Sequence, residues 1–163
     1  MGAVNFYHLI RSAPEVALSQ IAARALERGW TVAVRVADAA RADWLDRRLW
    51  DLGEDGFLPH GRQGGPHDDL QPILIIAGDG PAARACLMSF DGATLAPAEV
   101  AAAERAWIFF DGNDPGAVER ARGQWRDLTG AGLGAAYWSE ESGRWEKKLE
   151  KPARGGDADG AGG

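Results

Sequence analysis

The chain of 163 residues has a single cysteine, Cys86, so no internal disulfide can staple it. That usage fits a reducing compartment, and a cytoplasmic location is expected. No apolar run approaches the roughly 18 residues that a membrane span needs, so no segment is expected to cross a bilayer. A basic excess is missing too: 18 Lys and Arg stand against 24 Asp and Glu, a net charge of −6. Proteins that grip phosphate backbones directly carry the opposite balance. Tight, direct binding to DNA or RNA is therefore not expected unless a local patch overrides the global field. The first residues carry no basic n-region or cleavage pattern, so no signal peptide is expected. Phe6 stands where an N-myristoylation signal beginning at Gly2 needs a hydroxyl residue.

The signatures of nucleotide and metal chemistry are also absent. The first predicted strand is followed by Arg11-Ser12-Ala13-Pro14, with no glycine to let a backbone approach a pyrophosphate. Gly78-Asp79-Gly80 lacks the third glycine of a dinucleotide fingerprint, and Gly130-Ala131-Gly132-Leu133-Gly134 follows a helix rather than opening one. His8, His60 and His67 are scattered, and His67-Asp68-Asp69 reads as a solvated loop, so no zinc-ligand spacing occurs. His8 lies within a strand and reads as a core or edge histidine. Cys86 lies in an apolar strand, where a thiol behaves as a small buried hydrophobe. No catalytic residues, cofactor or metal are expected.

What is present is a rhythm of strands and helices. Residues 3–10 form an apolar-aromatic run suited to a buried strand. Ser12 and Glu15 match a capping box, and Leu18, Ile21, Ala22, Ala25 and Leu26 follow at helical spacing up to Gly29. Residues 31–37 are β-branched and predict a second strand. Asp38 then opens a helix with Ala42, Leu45, Leu49 and Leu52 on one face. Residues 53–71 read as loop. Further strands are predicted over 72–77, 85–90, 106–110 and 135–139, with helices over 97–104 and from Asp114 to about Thr129. Glu140 to Gly143 reads as the turn of a small hairpin ending near Trp145. The pattern predicts an α/β fold: a Rossmann-like three-layer arrangement with a mostly parallel sheet and helices on both faces. One domain is expected over residues 1–148, with 149–163 a disordered glycine-rich tail.

Two features stand out against this frame. The first is Leu49-Trp50 followed by Phe57-Leu58-Pro59-His60-Gly61. Trp50 falls off the Leu45-Leu49-Leu52 stripe. These aromatics either make an exposed interface patch or fold back to close the core. The second is the helix from Asp114. At about 100° per residue, Ala117, Ala121 and Leu128 share one stripe, Trp125 and Val118 stand at its border, and Arg122 and Arg126 continue onto the exposed side. An apolar notch beside two guanidinium groups suits an acidic peptide carrying an apolar residue. An ordinary amphipathic helix with snorkelling boundary residues is the other reading.

Taken together, Phe6-Tyr7, Leu49-Trp50, Phe57-Leu58-Pro59-His60-Gly61, the Ala121-Arg122-x-x-Trp125-Arg126 spacing and Gly132 resemble the chi subunit family of bacterial DNA polymerase III. Tyr137-Trp138 and Gly143-Arg144-Trp145-Glu146-Lys147-Lys148 resemble its longer members. The resemblance covers residues 3–148. It implies a non-catalytic accessory subunit of the clamp-loader portion of a DNA-directed DNA polymerase, a nucleotidyltransferase complex, acting in DNA replication. It also implies binding of the acidic, Phe-terminated C-terminal tail of single-stranded DNA-binding protein through Val118, Arg122, Trp125 and Arg126. The family pattern has Arg and Lys with Tyr between them, so Trp125 and Arg126 are departures that conserve ring and charge. A second interface, through Trp50, Phe57, Leu58, Pro59 and His60, is implied for the psi subunit, another clamp-loader subunit or an XPD-type helicase. The alternatives are a nucleotide-binding α/β enzyme or a helicase-accessory subunit in DNA repair.

Overall fold

The computed structural model describes residues 3–52, 60–62, 71–78, 84–90, 92–140, 142 and 145–153. Along them run β1 (Ala3–Leu9), α1 (Pro14–Glu27), β2 (Val32–Val36), α2 (Ala39–Leu52), β3 (His60–Arg62) and β4 (Ile73–Ala77). There follow β5 (Cys86–Phe90), α3 (Pro97–Ala102), β6 (Arg105–Asp111), α4 (Pro115–Gly130), β7 (Gly134–Ser139) and β8 (Glu146–Lys151). The strands form one sheet in the order β3-β4-β2-β5-β6-β1-β7-β8. Every neighbouring pair is parallel except β7 with β8.

The α/β fold class read from the sequence is the one observed. The chain leaves β1 in one direction across the sheet, through α1 and α2, and returns in the other through α3 and α4. Right-handed crossovers in opposite directions place their helices on opposite faces. Leu18, Ala22, Leu45 and Leu49 accordingly bury against Val32, Val34, Ile75 and Phe109 on one face. Val100, Ala117, Ala121 and Leu128 bury against Val4, Phe6, Ala106 and Ile108 on the other. With both faces covered, every residue of β2 is buried, which is why its sequence is a continuous apolar run rather than an alternation. Arg35 interrupts that run, and its guanidinium meets Glu99 of α3 at 2.5 Å.

Three elements differ from the sequence reading. The Ser12–Glu15 capping box does not form: α1 starts at Pro14 behind Ala13, with no side-chain cap. The Ser12 backbone N–H and hydroxyl instead donate to Glu140, at 2.7 and 3.0 Å, and Glu15 pairs with Arg48 at 3.1 Å. A carboxylate from the residue just past β7 outcompetes a local cap. Within the stretch read as loop, residues 60–62 form β3, paired parallel with β4. At the other end Leu149 and Glu150, read as tail, pair with Tyr137 and Ala136 in β8. By contrast α4 begins as expected, with the Asp114 carboxylate accepting the Gly116 N–H at 3.0 Å.

Candidate functional site

The parallel register of β1 with β7 sends Phe6, His8 and Tyr137 to the face that α4 covers. On α4, Ala117, Ala121, Gln124 and Leu128 turn inward. Buried Gln124 locks the helix in place: its carboxamide accepts from Leu95 N–H at 3.0 Å and donates to the Ala93 carbonyl at 3.1 Å. Trp125 is half-buried, with its ring edge-on to Phe6 at 5.3 Å and to Tyr137 at 6.2 Å. One turn of helical offset leaves Arg122 and Arg126 exposed beside it.

A groove of about 620 Å³ opens between α4 and the β7–β8 edge. Trp125, Tyr137 and Leu149 supply its apolar surface, and Arg122, Arg126 and Lys148 supply three cations. No carboxylate is among its eight lining residues. The charges are lightly compensated: Arg126 reaches Glu119 only at 4.0 Å, with both side chains about two-thirds exposed, and Lys148 pairs with Glu146 at 3.2 Å. Such exposed pairs contribute little and exchange readily for an incoming anion. The sequence reading thus finds Arg122, Trp125 and Arg126 on one wall. Val118 is half-buried, packs against the core under α4 and does not line the groove.

His8, Tyr137, Ser139, Lys148 and Leu149 complete the lining, and the sequence reading marks none of them as site residues. His8 carried a usable signal, since strand alternation puts it on the same face as Phe6. Lys148 and Leu149 carried none, because their position depends on the β7–β8 pairing. Just past β7, Glu140 ties the end of that strand to the chain leaving β1. Burial would raise its carboxyl, but hydrogen bonds from the Ser12, Ile10 and Arg11 backbone N–H groups and the Ser12 hydroxyl outweigh burial and hold it below the usual range.

The second expected surface lies at the far end of the sheet. Trp50, in the last turn of α2, is 51% exposed, and its ring lies 4.5 Å from that of His60. His60 is buried, with Nε2 at 3.1 Å from the Asp46 carbonyl and 3.2 Å from its carboxylate. Phe57, Leu58 and Pro59 fall outside the described residues. β3 and β7 are six strand positions apart, or about 29 Å at the usual strand spacing. Among the described residues no cluster of His, Cys, Asp and Glu could hold a metal ion, and no helix is long and apolar enough to cross a membrane.

Comparison with protein families matches residues 1–136 to "DNA polymerase III chi subunit, HolC". The DNA polymerase III subunit chi of Pseudomonas aeruginosa PAO1 is 34% identical over 85 residues, covering 50% of this chain and 58% of that protein. The match therefore spans little more than half the length of this curated relative. Because the family match runs from β1 through α4 into β7, and so includes the wall formed by Arg122, Trp125 and Arg126, the chain belongs to the DNA polymerase III chi subunit family.

Proposed function

We propose that this chain is a non-catalytic accessory subunit of the DNA polymerase III holoenzyme in DNA replication. In this reading it holds the acidic C-terminal tail of single-stranded DNA-binding protein and bridges that protein to the clamp-loader portion of the replicase in the cytoplasm. The observation that carries the reading is the groove under α4: three cations and an aromatic floor without a lining carboxylate, in a chain of net charge −6. A terminal Phe ring would seat against Trp125, Tyr137 and Leu149, while acidic residues would take charge-assisted hydrogen bonds from Arg122, Arg126 and Lys148. Val118 supports the helix from its core side.

The exposed ring of Trp50 on His60, with Phe57, Leu58 and Pro59, serves as the docking surface for a second partner. That partner is psi or another clamp-loader subunit, or an XPD-type helicase. Sites at opposite ends of one sheet can be occupied together, which is what bridging requires. Several tails on one coat protein would raise the effective affinity without any new contact.

The test is fluorescence anisotropy of a labelled acidic peptide ending in Phe, titrated with the full chain at low and moderate salt. Micromolar binding, about −8 kcal/mol, is expected. Removing the Phe abolishes it, and Arg122→Ala or Arg126→Ala weakens it about tenfold, as for loss of a charged hydrogen bond. Wild-type chain that leaves the peptide free at about 100 μM, some 2.7 kcal/mol short of that expectation, removes the tail-binding reading and leaves family membership standing.

A further inference from the structure

A second groove lies on the opposite face of the sheet. α1 packs over β2, β5 and β6, and beside it Tyr7 and Trp138 line a groove of about 230 Å³ with Arg24, Arg28, Arg105 and Trp30. None of its ten lining residues is acidic. Among the described residues no carboxylate pairs with Arg24, Arg28 or Arg105, and all three are exposed. The Arg28 and Arg105 guanidinium carbons stand 5.1 and 5.6 Å from the Trp30 ring centre. The ring orders these groups without neutralising them.

The rings form a series. Tyr7 lies 6.2 Å from Trp138 and 4.8 Å from Trp145, and Trp145 is 38% exposed. The Trp138 indole N–H donates to the Asn5 carboxamide oxygen at 3.2 Å, which fixes its plane. Half-exposed rings in a row beside uncompensated guanidinium groups combine the two elements that bind single strands without sequence preference: a stacking platform and a cationic track.

We propose that this groove is a contact site for single-stranded nucleic acid. Bases lie against Tyr7, Trp138 and Trp145, and phosphates meet Arg24, Arg28 and Arg105. An acidic peptide satisfies the arginines but brings no π-face at each residue, whereas every nucleotide brings both a charge and a ring. A duplex keeps its bases stacked on each other and leaves the platform empty. The overall charge of −6 makes the contact weak and steeply salt-dependent, an auxiliary hold rather than a principal one.

The experiment is anisotropy of a labelled oligothymidylate of about 15 nucleotides, titrated with the full chain across a salt series. Binding is expected at low salt, and a duplex of equal length binds at least about tenfold more weakly. Replacing Arg24, Arg28 and Arg105 together by Gln reduces the slope of log K against log salt by about 2, at roughly 0.7 per phosphate contact. Trp138→Leu weakens binding about tenfold. The arginines are exposed, so an unchanged melting profile in the triple variant keeps the test clean if Trp138→Leu fails to fold. The proposal is overturned by absent binding at about 100 μM in low salt, by equal affinity for the duplex, or by a triple variant that binds like wild type. A triple variant that loses the acidic Phe-terminated peptide but keeps the oligonucleotide also overturns it, making the surface a peptide site. Arg126→Ala should leave oligonucleotide binding untouched, so failure here and failure of the groove under α4 are read separately.

Discussion

His8 Nδ1 lies 2.6 Å from the Tyr137 hydroxyl oxygen, a hydrogen bond that joins β1 to β7 on the face α4 covers. The two rings meet edge-on at 5.7 Å, and Phe110 backs both, at 5.1 and 6.0 Å. The floor of the candidate tail groove is thus a set of rings pinned by strand register, and Trp125 closes on it from α4. Contacts of this kind lower the ordering cost that a ligand at the groove would otherwise meet.

Gly112 tests that floor. A Cβ at this position would overlap the His8 ring, so Gly112→Ala must displace His8 and strain its bond to Tyr137. A loss of about 1–3 kcal/mol in urea unfolding is expected, typical of overpacking, with a several-fold loss of affinity for the acidic Phe-terminated peptide. Gly130→Ala, whose Cβ meets nothing within 4 Å, is the control: it should leave affinity unchanged and gain about 0.5 kcal/mol from helix propensity.

Glu140 contributes to the acid limb of stability. Its carboxyl is held below the ordinary value of 4.5, so the folded state favours the ionised form. Its contribution is complete above that value and is lost as pH falls through the lowered folded value. Glu140→Ala leaves the Ile10, Arg11 and Ser12 N–H groups without this acceptor and should cost roughly 3 kcal/mol at pH 7. Thermal melts from pH 7 to about pH 3 should also show a shallower acid decline than wild type.

The Arg35–Glu99 pair behaves differently. Arg35 is 5% exposed, and its guanidinium meets both Glu99 oxygens, at 2.5 and 2.8 Å. The guanidinium hydrogen bonds hold the Glu99 carboxyl below its usual range. Glu99→Ala strands a buried cation and should cost about 3–5 kcal/mol, while a double change to Arg35→Met and Glu99→Leu should recover most of that loss. Equilibrium denaturation of wild type and the two variants checks both outcomes. A double variant as weak as Glu99→Ala would contradict the account.

Cys86 should be silent until the sheet opens. It is fully buried in β5, and burial pushes its thiol up to about 11. At pH 8 a thiol reagent should modify native protein at least about a hundredfold more slowly than unfolded protein. Fast labelling of the native state would mean that β5 opens locally.

The local grammar of this chain decided a great deal. Continuous apolar runs marked β2, β4, β5 and β6 because a parallel sheet with both faces covered excludes water from both sides of each strand. Asp114 and Pro115 marked the start of α4, since an N-cap carboxylate and a preset φ act within a few residues of where they stand. Helical periodicity likewise placed Arg122, Trp125 and Arg126 on one side of that helix. What lay beyond local reach was partnership across the fold. Glu140 takes the N–H groups of residues 10–12 from about 130 positions away, and no pattern near Ser12 distinguishes that from a capping box with Glu15. Residues 149–151 of β8 read as the start of a glycine-rich tail because their strand character comes from pairing with β7, not from their own propensity. The far wall of the groove, Lys148 and Leu149, exists only once that edge has formed. Spacing along a helix is set by covalent geometry and can be read residue by residue, whereas the company a side chain keeps across a sheet is set by register and topology, which only the folded chain decides.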